Sequence, residues 1–220
     1  MHCLITAGPT FEPLDRVRRL TNFSTGSLGL EVAARLQREG HQVTVLLGEQ
    51  ATASPPSGLE VLRFSTTQDL GERFREYSTQ GVGAVLHAAA VSDFRFGKVW
   101  ERAESGEMTE LKSGKFTTRQ GTLLAELLPT PKLIHELRGL FPLAWLVGWK
   151  FEVDGGREEA IRKAADQLAQ NQTDACVVNG PAYGTGFGWL TSQEGSDHLA
   201  SRADLFDRLA RELASRQKKS

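Results

Sequence analysis

The chain has little cysteine, no long apolar run and almost no net charge, and each shortage excludes a class of protein. Only two of its 220 residues are cysteine. Cys3 and Cys176 lie far apart inside apolar stretches, so they form neither a disulfide framework nor a metal-ligand spacing, and the expectation is two reduced, buried thiols. The histidines (His2, His41, His87, His135 and His198) are scattered singly, which argues against a zinc site. The apolar runs, such as Ala84 to Ala90, fall well short of the roughly 20 residues a membrane span requires. No basic-then-apolar leader opens the sequence. From these absences the sequence predicts a cytoplasmic protein with no membrane association. Lys and Arg total 26 against 27 Asp and Glu, a net charge of −1. That balance gives no global electrostatic case for nucleic acid, so any anion binding must be local. Motif absences narrow the field further: there is no G-x-G-x-x-G loop, no P-loop, no nucleophile elbow and no Ser/His/Asp order.

What remains is an ordinary globular mixture, 40% hydrophobic and 24% charged, in which strand-like and helix-like segments alternate. His2 to Thr6, Gln42 to Leu47, Leu59 to Phe64, Val82 to Ala90, Ala144 to Trp149 and Asp174 to Asn179 read as strands. Gly26 to Glu39, Thr67 to Gln80, Thr130 to Gly139, Gly156 to Gln170 and Ser201 to Ser215 read as helices. In the third of these, Thr130 caps and Pro131 takes the first helical position. The trailing residues 217–220 read as frayed. Nearly continuous apolar strands are those of a parallel sheet covered on both faces. The pattern predicts one α/β domain over residues 1–220, doubly wound and Rossmann-like, with a mostly parallel sheet and helices on both faces. Between residues 95 and 121, glycines punctuate a charged stretch that reads as an inserted flap, with Leu123 to Leu127 as its return strand.

The opening βα connection is the most informative stretch. Such connections run to about 2–6 residues, and longer ones are usually functional or disordered. Here the loop extends from Gly8 to Gly26 and ends in Asn22-Phe23-Ser24-Thr25-Gly26-Ser27-Leu28-Gly29, the mouth of a helix. Free N–H groups and the helix dipole attract phosphate there, although a plain Ser or Thr cap with packing glycines reads equally well. Arg16, Arg18 and Arg19 in the same loop suit a phosphate or carboxylate clamp, or simple solvation. Ser92 and Asp93 follow a central strand, where open α/β sheets bind ligands, or else form an Asx-type turn. Lys112 and Lys115, flanked by glycine, are able to close over an anion, or belong to a charged flap with no ligand. Asn179 ends a strand before the glycine-rich stretch 184–188.

Taken together, Ile5-Thr6-Ala7-Gly8-Pro9-Thr10, Glu12-Pro13-Leu14-Asp15, Val17-Arg18, Asn22-Phe23-Ser24-Thr25-Gly26 and Gly29 resemble the opening of the phosphopantothenate-cysteine ligase family. The likeness continues through Ala89-Ala90-Val91-Ser92-Asp93-Phe94, Thr130-Pro131-Lys132, Leu146 to Glu152 and Val177-Val178-Asn179. It implies an enzyme of coenzyme A biosynthesis that joins 4′-phosphopantothenate to cysteine. The substrate carboxylate attacks the α-phosphorus of CTP or ATP, with Mg²⁺ and release of pyrophosphate. The cysteine amine then displaces the nucleotide.

By that resemblance Asn22 holds the acyl intermediate, Ser24 and Gly26 sit at its phosphate, Arg18 binds substrate at a dimer-linked site, and Thr25 and Asn179 accompany them. Gly8, Ala89, Ala90, Ser92, Asp93 and Phe151 fall to the nucleotide, and Lys112 or Lys115 neutralises charge from the flap. No protein-borne metal site is implied. A homodimer is, and so is a separate decarboxylase, since Met1 directly precedes the first strand. Three positions depart from the family pattern: Glu110 stands where the flap carries its first lysine, and Gln167 and Asn171 stand where lysines grip the triphosphate. They leave nucleotide binding without ligation as the alternative. An NAD(P)-dependent oxidoreductase is disfavoured by the missing glycine fingerprint.

Overall fold

A computed structural model describes residues 1–112, 121–192 and 195–217. Lys115 and residues 218–220 therefore lie outside the described residues. In chain order the elements are β1 (His2–Ala7), β2 (Phe11–Pro13), β3 (Arg19–Thr21), α1 (Ser27–Arg38), β4 (Gln42–Gly48), β5 (Glu60–Phe64) and α2 (Thr67–Tyr77). There follow β6 (Ala84–His87), β7 (Phe94–Arg102), β8 (Met108–Leu111), β9 (Thr122–Pro129), α3 (Leu133–Leu140) and β10 (Trp145–Phe151). The last are α4 (Arg157–Asn171), β11 (Ala175–Asn179), β12 (Phe187–Thr191), β13 (Gly195–Leu199) and α5 (Arg202–Gln217).

The main sheet has the order β13-β12-β11-β10-β6-β1-β4-β5. From β11 to β5 every pairing is parallel, while β12 and β13 extend the far edge antiparallel. The chain winds outward from β1 through β4 to β5, then returns to β6 on the other side of β1 and continues to β10 and β11. This is the doubly wound arrangement expected from the sequence, and it creates a switch point between β1 and β6.

Burial on both faces explains why the strands show no polar alternation. Cys3, Ile5 and Ala7 of β1 join the core under α1 and α5, whereas Leu4 faces the core that includes Leu70, Phe74, Leu133 and Leu137 of α2 and α3. A third cluster packs Ala160, Ala164 and Leu168 of α4 on Cys176 and Val178 of β11. Both cysteines are free and buried, and burial pushes each thiol up to about 12, which removes them from nucleophilic chemistry. Among the described residues no helix is long and apolar enough to cross a membrane.

Several local readings are corrected. The long first loop contains a hairpin, β2 paired antiparallel with β3. β12 and β13, two strands that the sequence reading did not assign, pair antiparallel, and the second is so exposed that no alternation marks it. Thr130 does not cap α3: its hydroxyl donates to the Ser92 carbonyl and its N–H donates to Asp93 O, so the helix starts three residues later after Lys132. β7, β8 and β9 form a separate three-stranded antiparallel sheet spanning much of the segment read as an insertion.

Candidate functional site

β1 and β6 keep pairing beyond their strand ends. Ala90 N–H donates to Gly8 O at 3.0 Å, Thr10 N–H donates to Ala90 O at 3.1 Å, and Ser92 N–H donates to the Thr10 hydroxyl at 2.8 Å. The two loops thus leave the sheet side by side and floor a cavity of about 680 Å³ at the switch point. Gly8, Ala89, Ala90, Ser92 and Asp93 line it from these loops. Asn22, Ser24, Thr25 and Gly26 line it from the helix entrance, and Phe151 and Asn179 from the ends of β10 and β11. All eleven were singled out from sequence.

The helix entrance is shaped by backbone geometry. Gly26 precedes α1 in the left-handed region, φ 79°, and has no side chain to cap the helix; Thr25 Oγ1 accepts the first helical N–H, that of Ser27, at 3.3 Å, and the N–H groups after it have no side-chain cap. A Thr cap, one of the two readings of the sequence, is thus met in part by Thr25 from the residue before Gly26. A Cβ on Gly29 would stand 2.6 Å from the Ala7 Cβ, so this glycine exists for close packing of α1 on β1. Thr25 O accepts from Ala53 N–H at 3.0 Å and ties the entrance to the loop after β4. Asn22 bridges to the opposite wall: its Nδ2 donates to Ala90 O and Val91 O, both at 3.2 Å.

Ser92 has a structural employment. It is 4% exposed and its hydroxyl donates to Phe94 O at 2.8 Å, turning the chain into β7. Asp93 is exposed at the rim and pairs with Lys132. Arg18 sits on the β2–β3 hairpin apart from the cavity lining, its N–H and guanidinium both engaged by the buried carboxylate of Asp15. Lys112, at the end of β8, is exposed and likewise outside the lining. Glu110 is paired with Lys98 at 3.0 Å.

Three polar contributors were missed as candidates. Lys132, Lys150 and His87 also line the cavity, making two lysines and one carboxylate, Asp93, among its lining residues. Lys150 pairs with Glu152 at 3.1 Å, and Glu152 also receives Lys163 at 2.8 Å. Burial acts to raise the Glu152 carboxyl, but hydrogen bonds from Lys163 and Lys150 outweigh it and leave the group below its ordinary value. Gln167 donates to Trp149 O at 3.2 Å, bracing β10 rather than projecting a charge. His87 is buried and burial lowers it to about 4, so it is neutral at physiological pH. The one signal that pointed to these residues was position: each follows or ends an apolar run at the carboxyl edge of the sheet or at a helix start.

The cavity combines helix N–H groups, backbone amides and a modest positive charge, with no group of three His, Cys, Asp or Glu arranged for a metal among the described residues. Such a wall suits anionic, extended ligands rather than nucleophilic catalysis by a side chain. Comparison with known proteins fits this chemistry. Residues 1–195 match the model of the DNA/pantothenate metabolism flavoprotein C-terminal domain. The chain is 34% identical over 178 residues to the coenzyme A biosynthesis bifunctional protein CoaBC of Thermococcus kodakarensis, an alignment covering 80% of this chain and 40% of that protein. It thus spans less than half the length of that relative. The DNA/pantothenate metabolism flavoprotein from Streptococcus pneumoniae has the same fold, with a TM-score of 0.85 at 24% identity over 98% of this chain and 99% of that one. So does a Cab2 mutant in complex with phosphopantothenate-cysteine, at TM-score 0.73 and 20% identity over 99% and 88%.

Proposed function

The chain belongs to the DNA/pantothenate metabolism flavoprotein C-terminal domain family, and from that premise we propose that it joins 4′-phosphopantothenate to cysteine in coenzyme A biosynthesis. The observation that carries the reading is the convergence on one cavity of Asn22, the N-terminus of α1, the Ala88 to Asp93 chain and two lysines. In the first step the substrate carboxylate attacks the α-phosphorus of CTP or ATP, and pyrophosphate leaves. In the second the cysteine amine attacks the acyl carbon and the nucleoside monophosphate leaves.

Neither step needs a side-chain nucleophile. Both need donors aimed at phosphate charge and a fixed acyl group. The α1 N–H groups and Lys150 bind the phosphates, and Asn22 orients the acyl group from across the switch point. Lys132 holds Asp93, the one carboxylate among the lining residues, at the rim. Mg²⁺ bound with the triphosphate supplies neutralising charge, and Asp93 is the residue that would hold it. By the family resemblance Arg18 acts in a homodimer, and Lys112 or Lys115 neutralises charge from the flap. A cytoplasmic setting and a decarboxylase that supplies the next step belong to the same reading.

Pyrophosphate release from 4′-phosphopantothenate, cysteine and Mg²⁺ with CTP or ATP tests it. Release with neither nucleotide overturns it. Glu110 favours a second reading, nucleotide binding without ligation, because its carboxylate pairs with Lys98 where the family pattern carries a lysine. Calorimetric nucleotide binding without turnover would select that reading.

A further inference from the structure

His87 ends β6 at the floor of the cavity, 6% exposed and set edge-on to the Phe74 ring at 5.4 Å between centroids. Its Nδ1 lies 2.8 Å from the Thr6 hydroxyl. That hydroxyl, fully buried, also accepts the Ala89 N–H at 3.1 Å. A hydroxyl has one proton to give. Its oxygen could accept from Ala89 and from a ring N–H at once, but the threonine proton has no other acceptor among the described residues, so it goes to Nδ1 and the neutral ring carries its own proton on Nε2. The tautomer is therefore set by the Thr6 hydroxyl.

Nε2 has no partner among the described residues, yet it is not one of the sealed, unpartnered polar atoms. As His87 lines the cavity, Nε2–H opens into it. A neutral imidazole N–H on a floor otherwise made of apolar side chains and backbone is a hydrogen-bond donor that waits for a ligand.

We infer that His87 is a ligand-binding residue, its uncharged Nε2–H donating to an acceptor oxygen of bound 4′-phosphopantothenate or nucleoside triphosphate. The identity of those ligands rests on the proposed ligase reading; the donor itself rests on the Ala89–Thr6–His87 hydrogen-bond chain. Burial, which holds the ring neutral, suits a donor that reads an oxygen without adding charge.

The experiment titrates wild type, His87→Leu and His87→Gln with 4′-phosphopantothenate alone, and with CTP and ATP each alone, by calorimetry. Loss of one neutral hydrogen bond weakens binding by about 3- to 10-fold, so His87→Leu should lose that much for the acid or for the nucleotide, which identifies the source of the oxygen. His87→Gln, with an amide donor of similar reach, should recover part of it. In parallel, imidazole ¹⁵N spectra of the wild type should show a bare Nδ1 and a protonated Nε2, with Nε2 alone moving as the ligand saturates. This measurement does not depend on the variants folding. Equal affinities for wild type and His87→Leu, or an Nε2 resonance unmoved at saturation, overturn the inference while leaving the ligase reading intact. Wild type that binds none of the three ligands overturns the ligase reading, and the inference with it.

Discussion

The carboxamide nitrogen of Asn22 lies 3.2 Å from the carbonyl oxygen of Ala90, 68 residues further along the chain. This contact, with its twin to Val91 O, closes the cavity entrance across the switch point. It also spends both amide protons on the protein, so that Oδ1 and the fixed plane of the amide are what the ligand meets. Asn22→Ala removes the orienting group without touching the α1 N–H groups. We predict that nucleotide affinity stays near wild type while product formation falls by about 100-fold, the loss typical for one preorganised polar group at a reacting centre. Calorimetry beside a product assay checks it, and normal turnover would contradict the role.

Lys150 and Lys163 share Glu152, but only Lys150 lines the cavity. Removing a charge-assisted hydrogen bond to phosphate costs about 1.5–3 kcal/mol. Lys150→Met should therefore weaken triphosphate binding by roughly 10- to 100-fold, with little change in affinity for the acid substrate. Lys163→Met leaves Glu152 to Lys150 alone, so the lysine is drawn further toward the carboxylate and nucleotide binding weakens less. Nucleotide titrations of both variants, repeated at raised salt, distinguish them, since the wild type and Lys163→Met should lose affinity with salt more steeply than Lys150→Met.

Much of this was legible in the sequence for a physical reason. β1, β4, β6, β10 and β11 are buried on both faces and spaced by amphipathic helices, so their apolar runs and the switch point follow from composition along the chain. The β12–β13 hairpin was not legible, because Gly195 to Asp197 offer neither alternation nor β-branched residues, and the strand is held by pairing to its neighbour. Of the site, Asn22, Asp93 and Asn179 were readable as polar residues at strand and helix ends. Lys132 and Lys150 were not, since each is a single charge beside an apolar run, and only the folded sheet shows which way that end faces. Ser92 was readable by position, and its hydroxyl proton goes to Phe94 O.

Gly29 offers a test of the packing argument free of ligand chemistry. A methyl group there would meet the Ala7 Cβ at 2.6 Å and the Thr6 carbonyl at 3.3 Å, and neither belongs to a flexible side-chain end. Overpacking of this kind typically costs about 1–3 kcal/mol, which exceeds the gain in helix propensity of about 1 kcal/mol from glycine to alanine. Gly29→Ala should lower the denaturant midpoint with an unchanged slope, and any gain in stability would refute the close approach of α1 to β1.

His87 also predicts how stability responds to acid. Its folded-state value of about 4 lies below the ordinary 6.5, because burial penalises the charged ring. Between those two values the unfolded chain binds a proton that the folded chain refuses, so stability rises with pH across the window and falls as the solution is acidified. The contribution is whole above about pH 6.5, begins to fade there, and is spent near pH 4, amounting to about 3 kcal/mol over the window. His41, also lowered chiefly by burial, acts in the same direction, and Glu152, held below its ordinary value, adds to the loss at the acid end. The difference between wild type and His87→Leu isolates the one residue: the variant should lose less stability than wild type between pH 6.5 and pH 4. Urea unfolding at stepped pH measures it, and parallel curves for the two proteins would show that His87 takes up its proton in the folded state as readily as in the unfolded one.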